Sequence, residues 1–357
     1  MGKETDGKRL VPHFASEIFF SAPQCLCGSI TEMKVIAKRW FLLAVLLGFG
    51  IVWLWPGAMA WTQSVKPRLV IPLALFLVSW TMDGGRLLGA LKNPAPALLA
   101  VVVSYTLLPL VAWWCGALLP LEDLRIGMLI CACVPCTLAS AVIWTRLAHG
   151  DEAQALMASF AGSGLSWLVT PTWLASLTGQ HVALNYPAMM LDLAATLLVP
   201  VALGQAARAV PLLQGIAVSR RRLLGVASQL LVLAIMFRAA FEVGAKIRSE
   251  GNELGLFALV LTIALCLGNH LVALMAGWWG ARALGFSPGS QIAVAFAGSQ
   301  KSLPVSLMLL QLYFPGYPLA IVPLLVYHAG QLIADTFIAD RWANRLAAPP
   351  PVRASRV

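Results

Sequence analysis

A single lysine, Lys301, lies in the middle of an otherwise small or apolar stretch, AFAGSQKSLPVSL, at residues 295–307. A charge at the centre of a bilayer costs about 2.5–3.5 kcal/mol on insertion scales, so such residues face the protein interior and mark a pathway. The same stretch contains helix-breaking and polar residues on both sides of the lysine: Gly298, Ser299, Gln300, Ser302 and Pro304. This combination predicts an interrupted helix with a binding site at the interruption.

A second interruption is predicted at residues 131–153, CACVPCTLASAVIWTRLAHGDEA. Pro135 lies in the middle of this segment, where its ring removes a backbone N–H and clashes with the preceding turn. Carbonyl groups freed at membrane depth need partners in the protein or in a water-filled cavity. The small and polar residues that follow complete the candidate site: Thr137, Ser140, Ala141 and Thr145. Ordinary proline kinks are the alternative explanation of both interruptions.

The composition is typical of a membrane protein. Of the 357 residues, 59% are hydrophobic and 11% are charged, and the mean hydropathy is +0.81. A soluble domain carries about 25% charged residues. The net charge of +10 is spread between apolar segments, so membrane lipid is the expected partner and nucleic acid is not. We therefore expect an all-α polytopic membrane protein.

Ten segments are long and apolar enough to cross a bilayer as helices, which takes about 20 residues each. They are residues 40–57, 68–88, 95–118, 124–148, 153–178, 186–208, 222–245, 254–281, 289–312 and 317–338. The connectors between these ten predicted spans are short and carry most of the charged residues.

The distribution of basic residues predicts the orientation of these spans. Eighteen of the 25 lysines and arginines fall on one side, together with both ends of the chain, and five fall on the other side. Basic residues accumulate on the cytoplasmic side of membrane proteins. Both termini are therefore expected in the cytoplasm, in a multi-pass protein of the plasma membrane (the inner membrane in a bacterium).

The beginning of the chain has two readings. A basic start followed by an apolar run resembles a signal peptide, and Ala58-Met59-Ala60 resembles a cleavage site. We favour a first transmembrane helix, because the next apolar span follows at once. Residues 1–36 are then an N-terminal tail, and Met33 is an alternative start of translation, because residues 1–32 are polar and unpatterned.

The spacing of the spans predicts an internal duplication. The expected organisation is a first five-helix repeat at 37–208, a basic cytoplasmic connector at 209–221, a second five-helix repeat at 222–340 and a cytoplasmic tail at 341–357. Repeats with an odd number of spans insert in opposite orientations, which is the geometry of inverted-repeat transporters. The two interruptions fall in the fourth and ninth spans, which are equivalent positions.

With these stretches the sequence resembles the bile acid:sodium symporter family, and in particular its SBF-like branch, which includes the divergent eukaryotic member-seven type. The resemblance runs from Met33 to about Trp342 and is carried by RWFLLAVLLGFGIVW, LASAVIWTRLAHGDEA, LGQAAR, GSQKSLPVSL and VPLLVYHAGQLI. It implies ten helices in two inverted five-helix repeats, arranged as a panel domain and a core domain. It also implies that the discontinuous fourth and ninth helices cross in the middle of the membrane.

The resemblance also provides a pattern for the crossing. Sodium-coupled members of the family hold two sodium ions there, with Ser-Asn on the fourth helix and Glu-x-x-x-Gln-Asn-Ser on the ninth. Ser140, Gln300 and Ser302 match this pattern.

The other positions of the pattern differ in this sequence. Ala141 replaces the first asparagine, Phe296 replaces the glutamate, and Lys301 replaces the second asparagine. Ser104, five residues before Pro109, replaces a glutamine of the third helix. The SBF-like branch shares the lysine and the alanine, so the departure belongs to the branch.

The simultaneous loss of a carboxylate and gain of a cation suggests a role for the lysine. Our hypothesis is that the Lys301 ammonium occupies the space of a sodium ion, held by carbonyls near Gly298 and Pro135 together with the polar side chains of Ser140, Gln300 and Ser302. Transport would then not require sodium, and the lysine proton could itself be the coupling ion. The alternative is a structural lysine that extends to the membrane interface.

Several other polar residues lie inside the apolar spans. Asp192 and Asp335 are candidate partners of Lys301, although Asp335 is expected to be solvated near the cytoplasmic end. His270 and His328 could relay protons or bind a metal, but packing is the preferred explanation of both. A structural i,i+4 ion pair is expected between Arg238 and Glu242, and Cys133 and Cys136 of the C-x-x-C spacing are read as packing residues rather than a redox pair.

The function predicted from these observations is secondary transport, by alternating access, of a small or amphipathic organic anion. No enzyme activity, cofactor or metal is expected, because the nucleophile-and-base and metal-binding motifs of membrane enzymes are lacking in the sequence. Two alternatives stay open, namely a membrane regulatory protein without its own flux and a proton- or sodium-coupled carrier of another solute.

Overall fold

The computed structural model describes residues 40–179, 185–249 and 255–347 of the chain. The predicted N-terminal tail, the alternative start at Met33 and the last part of the C-terminal tail lie outside these ranges. The described residues form α-helices joined by short connectors, and no strand occurs among them. In chain order the helices are α1 Trp40–Leu54, α2 Pro67–Thr81, α3 Gly84–Ala90, α4 Ala95–Gly116, α5 Glu122–Cys133, α6 Ser140–Leu147, α7 Glu152–Thr178, α8 Tyr186–Ala209, α9 Pro211–Ser219, α10 Arg221–Ser249, α11 Leu256–Ala283, α12 Pro288–Ser299, α13 Leu303–Tyr313 and α14 Ile321–Ala347.

Six helical segments of the described chain are individually long and apolar enough to cross a membrane. They are Ala95–Gly116, Tyr186–Ala209, Arg221–Glu242, Leu256–Ala283, Pro288–Tyr313 and Pro318–Asn344, and the bent pair Leu43–Val52 with Pro56–Ser64 would make a seventh. The chain is therefore a polytopic helical membrane protein, as its composition predicts. The predicted spans 68–88 and 124–148 are each divided between two shorter helices, α2 with α3 and α5 with α6.

The segment formed by α12 and α13 lies at the centre of the protein. Inside its apolar window 94% of the residues are buried, against 28% in α8. Helix α12 packs against α4, α7 and α11, and small residues permit a close approach there. A Cβ atom on Gly277 of α11 would lie 3.1 Å from the Val294 carbonyl oxygen, and one on Gly298 would lie 3.3 Å from Val103 Cγ1.

The start of α7 is fastened to the start of α12. The Asp151 carboxylate accepts hydrogen bonds from the N–H groups of Ala153 and Gln154, at 3.0 and 3.2 Å, and so caps α7. The Asp151 N–H group donates to the Gly289 carbonyl oxygen at 2.9 Å. The chain that follows α6 is thereby held against the first turn of α12.

Helix α4 contains a π-helical stretch at Val103–Leu107, and Pro109 follows it. The Leu108 N–H group donates to the Val103 carbonyl. The corresponding donor to the Ser104 carbonyl would be residue 109, but proline has no N–H group. The Ser104 carbonyl is consequently available to another donor, and such π-bulges are frequent at functional sites.

Candidate functional site

The structure has helix breaks at both predicted interruptions. Helix α5 ends at Cys133 and α6 begins at Ser140, while α12 ends at Ser299 and α13 begins at Leu303. We call these the first break, residues 134–139, and the second break, residues 300–302. The two breaks touch, because the Ser302 N–H group donates to the Pro135 carbonyl oxygen at 3.0 Å.

Lys301 of the second break is buried, with 1% of its surface exposed. Its Nζ atom donates to the Ser104 carbonyl at 2.8 Å, the Ser104 hydroxyl at 2.9 Å and the Val134 carbonyl at 2.8 Å. An ammonium has three N–H donors, so all three are satisfied by neutral oxygens. The Nζ atom also lies over the Tyr105 ring, 5.1 Å from its centroid, within range of a cation–π interaction.

This set of partners corrects the set expected from the sequence. Ser104 and Val134 hold the ammonium, whereas the hydroxyl of Ser140 and the amide of Gln300 bond each other. Gln300 and its lysine neighbour point to different partners, because successive residues of an extended break project in different directions. The expectation that a carbonyl near Pro135 binds the amine is met by Val134, one residue earlier.

Gln300 joins the first break to α14. Its Oε1 atom lies 3.0 Å from the Thr137 hydroxyl and 2.6 Å from the Ser140 hydroxyl. These two hydroxyls also contact each other, and their two hydrogens serve two of the three contacts at a time. Its Nε2 atom donates to Asp335 Oδ2 at 2.6 Å. A fully buried amide thus connects hydroxyl donors on one side with a carboxylate on the other.

Asp335 is buried rather than solvated, which corrects the expectation for this residue. Its side chain is 0% exposed, and its Oδ1 atom lies 2.9 Å from His270 Nε2 on α11. The other ring nitrogen of His270, Nδ1, lies 3.3 Å from the Ser299 carbonyl oxygen. His270 therefore interacts with the end of α12 and with a carboxylate, which goes beyond the packing role expected from the sequence.

The backbone carbonyls freed at the first break are bonded by side chains. The Cys133 carbonyl accepts from the Thr170 hydroxyl at 2.8 Å. The Thr137 carbonyl lies 3.2 Å from the Ser159 hydroxyl, which it shares with the Ala155 carbonyl at 2.9 Å. Both hydroxyls belong to α7 and are buried. A broken helix in an apolar environment is stable only when such groups find partners, and α7 provides them here.

The second break is bonded mainly by α14. The Gln331 side chain accepts from the Lys301 N–H group at 2.9 Å and donates to the Lys301 carbonyl at 3.0 Å. The Tyr327 hydroxyl donates to the Ser299 carbonyl at 3.1 Å. One glutamine thus satisfies both backbone groups of the lysine, and the tyrosine shares the last carbonyl of α12 with His270.

The remaining predicted residues of the crossing have structural positions. Ala141 is fully buried in an apolar cluster with residues of α4, α7 and α12. Thr145 is buried as well, and among the described residues its hydroxyl has no hydrogen-bond partner. Pro304 occupies the first turn of α13, where the missing N–H group is tolerated.

Asp192 and His328 are two further candidates, and each has a hydrogen-bond partner other than the Lys301 ammonium. Asp192 accepts a hydrogen bond from the Tyr313 hydroxyl at 2.7 Å, so its partner is this tyrosine and not Lys301. His328 Nδ1 lies 2.9 Å from Gln331 Nε2, which positions the glutamine that bonds the second break. The predicted ion pair of Arg238 with Glu242 is present at 2.8 Å.

Sequence reasoning named His328 and Asp335 as candidates. It missed Gln331 and Tyr327 of the same helix, α14, and it also missed Tyr105. His328, Gln331 and Asp335 are separated by three and four residues, so they share one face of an apolar helix. This polar stripe is visible in the sequence and could have been recognised as a second side of the site. The contact of Tyr105 with the ammonium depends on the tertiary packing of α4 and has no comparable signal.

A separate cavity of about 430 Å³ lies at the start of α2. We call it the basic cavity, and it is lined by Lys66, Pro67, Arg68, Leu69, Arg238, Met308, Gln311 and Leu312. The Arg238 guanidinium is positioned by Glu242 and by the carbonyls of Gln63 and Val65. Three cationic residues therefore belong to the lining of a cavity whose surface is mostly apolar.

These features define the class of protein. Apolar helices cross the membrane, and two interrupted helices meet around a buried charge, which is the arrangement of secondary transporters. The sequence profile of the SBF-like CPA transporter family matches residues 39–344, and the chain belongs to this family.

Relatives of known name agree with this assignment. The chain is 28% identical to sodium/bile acid cotransporter 7 of Danio rerio over 317 residues, which is 85% of this chain and 93% of the relative. It is 25% identical to the protein of the same name from Xenopus tropicalis, over 86% of this chain and 92% of the relative. The corresponding protein of Rattus norvegicus is 24% identical, with 86% and 93% covered.

Proposed function

We propose that the protein is a secondary carrier that moves a small or amphipathic organic anion across the membrane by alternating access. The single observation that carries the proposal is the coordination of the buried Lys301 ammonium at the meeting point of the two helix breaks. Family membership supports transport, and the name of the relatives, sodium/bile acid cotransporter, suggests the class of solute.

In this proposal the ammonium of Lys301 replaces a bound sodium ion. Oxygens of α4 and of the first break converge on Nζ at 2.8–2.9 Å, the hydrogen-bond distance from an ammonium, and carbonyl and hydroxyl oxygens are also the groups that bind a hard cation. Two unit charges 4 Å apart interact by about 4 kcal/mol at an effective dielectric constant of 20, so a sodium ion beside this ammonium would be strongly disfavoured. We therefore expect transport without a sodium requirement.

The proposed architecture has ten membrane-crossing segments in two inverted repeats, with both termini in the cytoplasm. The predicted boundary at residues 209–221 leaves six of the ten predicted spans in the first repeat. Five-helix repeats instead divide between α7 and α8, and the two breaks then occupy the fourth position of each repeat. Alternating access would arise from motion of the helices around the breaks against the others.

The basic cavity supports an anion as the solute. Lys66, Arg68 and Arg238 attract a carboxylate or sulfonate, while the apolar lining accepts the body of an amphipathic molecule. Glu242 offsets part of the positive charge of Arg238. The arrangement favours a solute with one negative group and an apolar surface, and a bile acid conjugate has this chemistry.

The proposal is tested by uptake into liposomes that contain the purified protein. A labelled taurine-conjugated bile acid, a small carboxylate and a neutral sterol are offered with a sodium gradient, and then with the sodium replaced by choline. We expect uptake of an anion that is equal in both salts and absent for the sterol. Strict dependence on sodium would contradict the role of Lys301, and absence of any uptake would favour the regulatory alternative.

The role of the basic cavity has its own variant. Changing Lys66 and Arg68 together to methionine keeps the volume of the side chains and removes two charges. We expect the KM for the transported anion to rise about tenfold with little change in the maximal rate. A matched double variant at Arg220 and Arg222, which are exposed and remote in sequence from the cavity, should keep the original KM.

A further inference from the structure

The pair formed by His270 and Asp335 is completely buried. The hydrogen-bond partners of the pair limit which ring nitrogens and carboxylate oxygens can carry a proton. His270 Nε2 lies 2.9 Å from Asp335 Oδ1, and His270 Nδ1 lies 3.3 Å from the Ser299 carbonyl oxygen. A carbonyl oxygen only accepts hydrogen bonds, and so does an ionised carboxylate. Both ring nitrogens thus face acceptors.

Neutral histidine has one N–H group and cannot donate at both positions. Two arrangements satisfy the geometry. In one, a doubly protonated imidazolium donates to Ser299 and to the Asp335 carboxylate. In the other, a neutral ring donates from Nδ1 to Ser299 and accepts at Nε2 from a protonated Asp335. Either arrangement holds one proton more than a neutral histidine beside an ionised aspartate.

From this geometry we infer that His270 and Asp335 together form a binding site for the coupling proton of transport, an inference that rests on the proposed carrier function. The pair lies beside the second break and is connected to the first break through hydrogen bonds. Ser299 is the last residue of α12, and Gln300 joins Asp335 Oδ2 to the hydroxyls of the first break.

Other ionisable groups surround the pair. The Lys301 ammonium lies one residue beyond Gln300, the Tyr327 ring packs edge-on against the His270 ring with centroids 6.0 Å apart, and the thiols of Cys136 and Cys266 are buried nearby. In their usual states at neutral pH the phenol and the thiols are uncharged. The charges that matter are therefore those of the lysine and of the histidine–aspartate pair.

This charge distribution couples the proton to an anion. With the proton bound the pair is neutral, and together with Lys301 the site carries a net charge of +1. Without the proton the net charge is zero. An anion that reaches the crossing during transport consequently favours the protonated state, and by thermodynamic reciprocity the proton favours the anion there. The two would cross the membrane in the same direction.

The variant Asp335→Asn removes the proton site and keeps the hydrogen bonds. Its Oδ1 atom can accept from Gln300, and its Nδ2 group can donate to His270 Nε2 while Nδ1–H still donates to Ser299. In the unfolded chain above about pH 6.5 an ordinary histidine is neutral and an aspartate is ionised. The folded wild-type protein then holds one proton more than the unfolded chain, so its stability falls as pH rises.

We expect the ratio of folded to unfolded protein to fall about tenfold per pH unit above about pH 6.5, relative to Asp335→Asn. Groups shared by both proteins cancel in this comparison. Asp340→Asn, an exposed residue of the same helix, serves as the control and should keep the wild-type slope. Equal slopes in wild type and Asp335→Asn would overturn the proposal.

A second measurement is made on the wild-type protein and does not require that Asp335→Asn folds. Nitrogen NMR of histidine-labelled protein in detergent at pH 7 reports which ring nitrogen of His270 carries a proton, with His270→Asn used to assign the signal. A protonated Nδ1 supports the proton site. An Nδ1 without a proton, beside an Nε2–H group that donates to an ionised Asp335, rejects it.

The link to transport is tested in liposomes with an internal pH dye. An inward proton gradient should accelerate anion uptake in wild type at least fivefold, and Asp335→Asn should show no acceleration. Acceleration that persists in this variant would contradict coupling through the pair. If wild type takes up no anion, the proposed function fails, whereas the stability slope and the NMR signal still decide whether the pair binds a proton.

Discussion

Between Cys133 and Ser140 the backbone provides carbonyl acceptors, one of them to the buried amine, whereas between Ser299 and Leu303 the chain provides the charged donor. The first break contributes the carbonyls of Val134 and Pro135, which accept from the amine and the amide N–H of the second break. The two breaks also differ in how deeply their side chains are buried. Gln300 and Lys301 are 0% and 1% exposed, whereas Thr137 and Ser140 of the first break are half-buried.

This difference suggests a division of roles between two segments that sequence symmetry would treat as equal. The second break carries the charge and is bonded by the buried face of α14. The first break positions carbonyl oxygens around that charge, and the hydroxyls of Thr137 and Ser140 contact the Gln300 amide. Substitutions at the two breaks should therefore have unequal consequences.

The largest effect is expected from Lys301→Met. Three oxygens lose their donor, and the positive charge at the crossing disappears, so anion uptake should fall at least about 100-fold. Stability should change much less than uptake. Each polar group left unpaired costs about 1–3 kcal/mol, but the variant also removes a buried charge, which costs at least as much. Uptake into liposomes and melting in detergent measure the two quantities.

The exposed Lys92 provides the matched control, and Lys92→Met should behave as wild type in both measurements. Wild-type uptake by a folded Lys301→Met protein would show that the ammonium is structural. The contrast between the two breaks would then lose its functional meaning.

Gln300→Leu comes next in size. The change leaves the hydroxyls of Thr137 and Ser140 and one oxygen of Asp335 without their shared partner, so the first break loses its connection to α14. We expect uptake to fall about 10- to 100-fold, while the lysine keeps its three acceptors. Gln214→Leu, on the exposed surface of α9, is the control and should have no effect. A normal uptake rate for Gln300→Leu would show that transport does not depend on the hydrogen bonds between the first break and α14.

Gln331→Leu tests the support of the second break directly. Both backbone groups of Lys301 would be buried without partners, and each such group costs about 1–3 kcal/mol. We expect a loss of about 2–4 kcal/mol in the free energy of unfolding, measured by denaturation in mixed detergent. A loss below about 1 kcal/mol would mean that water reaches the second break.

The smallest effect is expected from Thr170→Val, which keeps the shape of the side chain and removes the donor to the Cys133 carbonyl. One carbonyl of the first break loses its partner, so unfolding should become easier by about 1–2 kcal/mol. The order of the two stability effects is the decisive observation. If Thr170→Val were more destabilising than Gln331→Leu, the stability of the protein would depend more on the hydrogen bonds of the first break than on those of the second.

Much of the architecture could be predicted from the sequence because it follows from local chemistry. Apolar length predicts the membrane helices, and prolines with adjacent polar residues predict the breaks near Pro135 and Lys301. The i,i+4 spacing of Arg238 and Glu242 predicts their ion pair, since neighbours on one helix face meet irrespective of the rest of the fold.

The family resemblance singles out Ser104, but local sequence chemistry could not predict that Ser104 and Val134 bind the lysine. Ser104 is separated from Lys301 by 197 positions in the chain, and only the packing of α4 against α12 brings them together. Asp335 was expected to be solvated because it lies close to the end of its predicted span, but position along a helix does not determine which face is buried. Side-chain direction within an irregular break is equally beyond a sequence pattern.

The amine of Lys301 uses a carbonyl that one missing hydrogen atom leaves without a donor inside its own helix. Another amino acid at position 109 would bring an amide hydrogen toward the Ser104 carbonyl, and this oxygen would then divide its two lone pairs between the amide and the amine. Proline at this position reserves the carbonyl for the side chain. Exchange of Pro109 for alanine is therefore expected to weaken the hold on the charge from a helix other than its own.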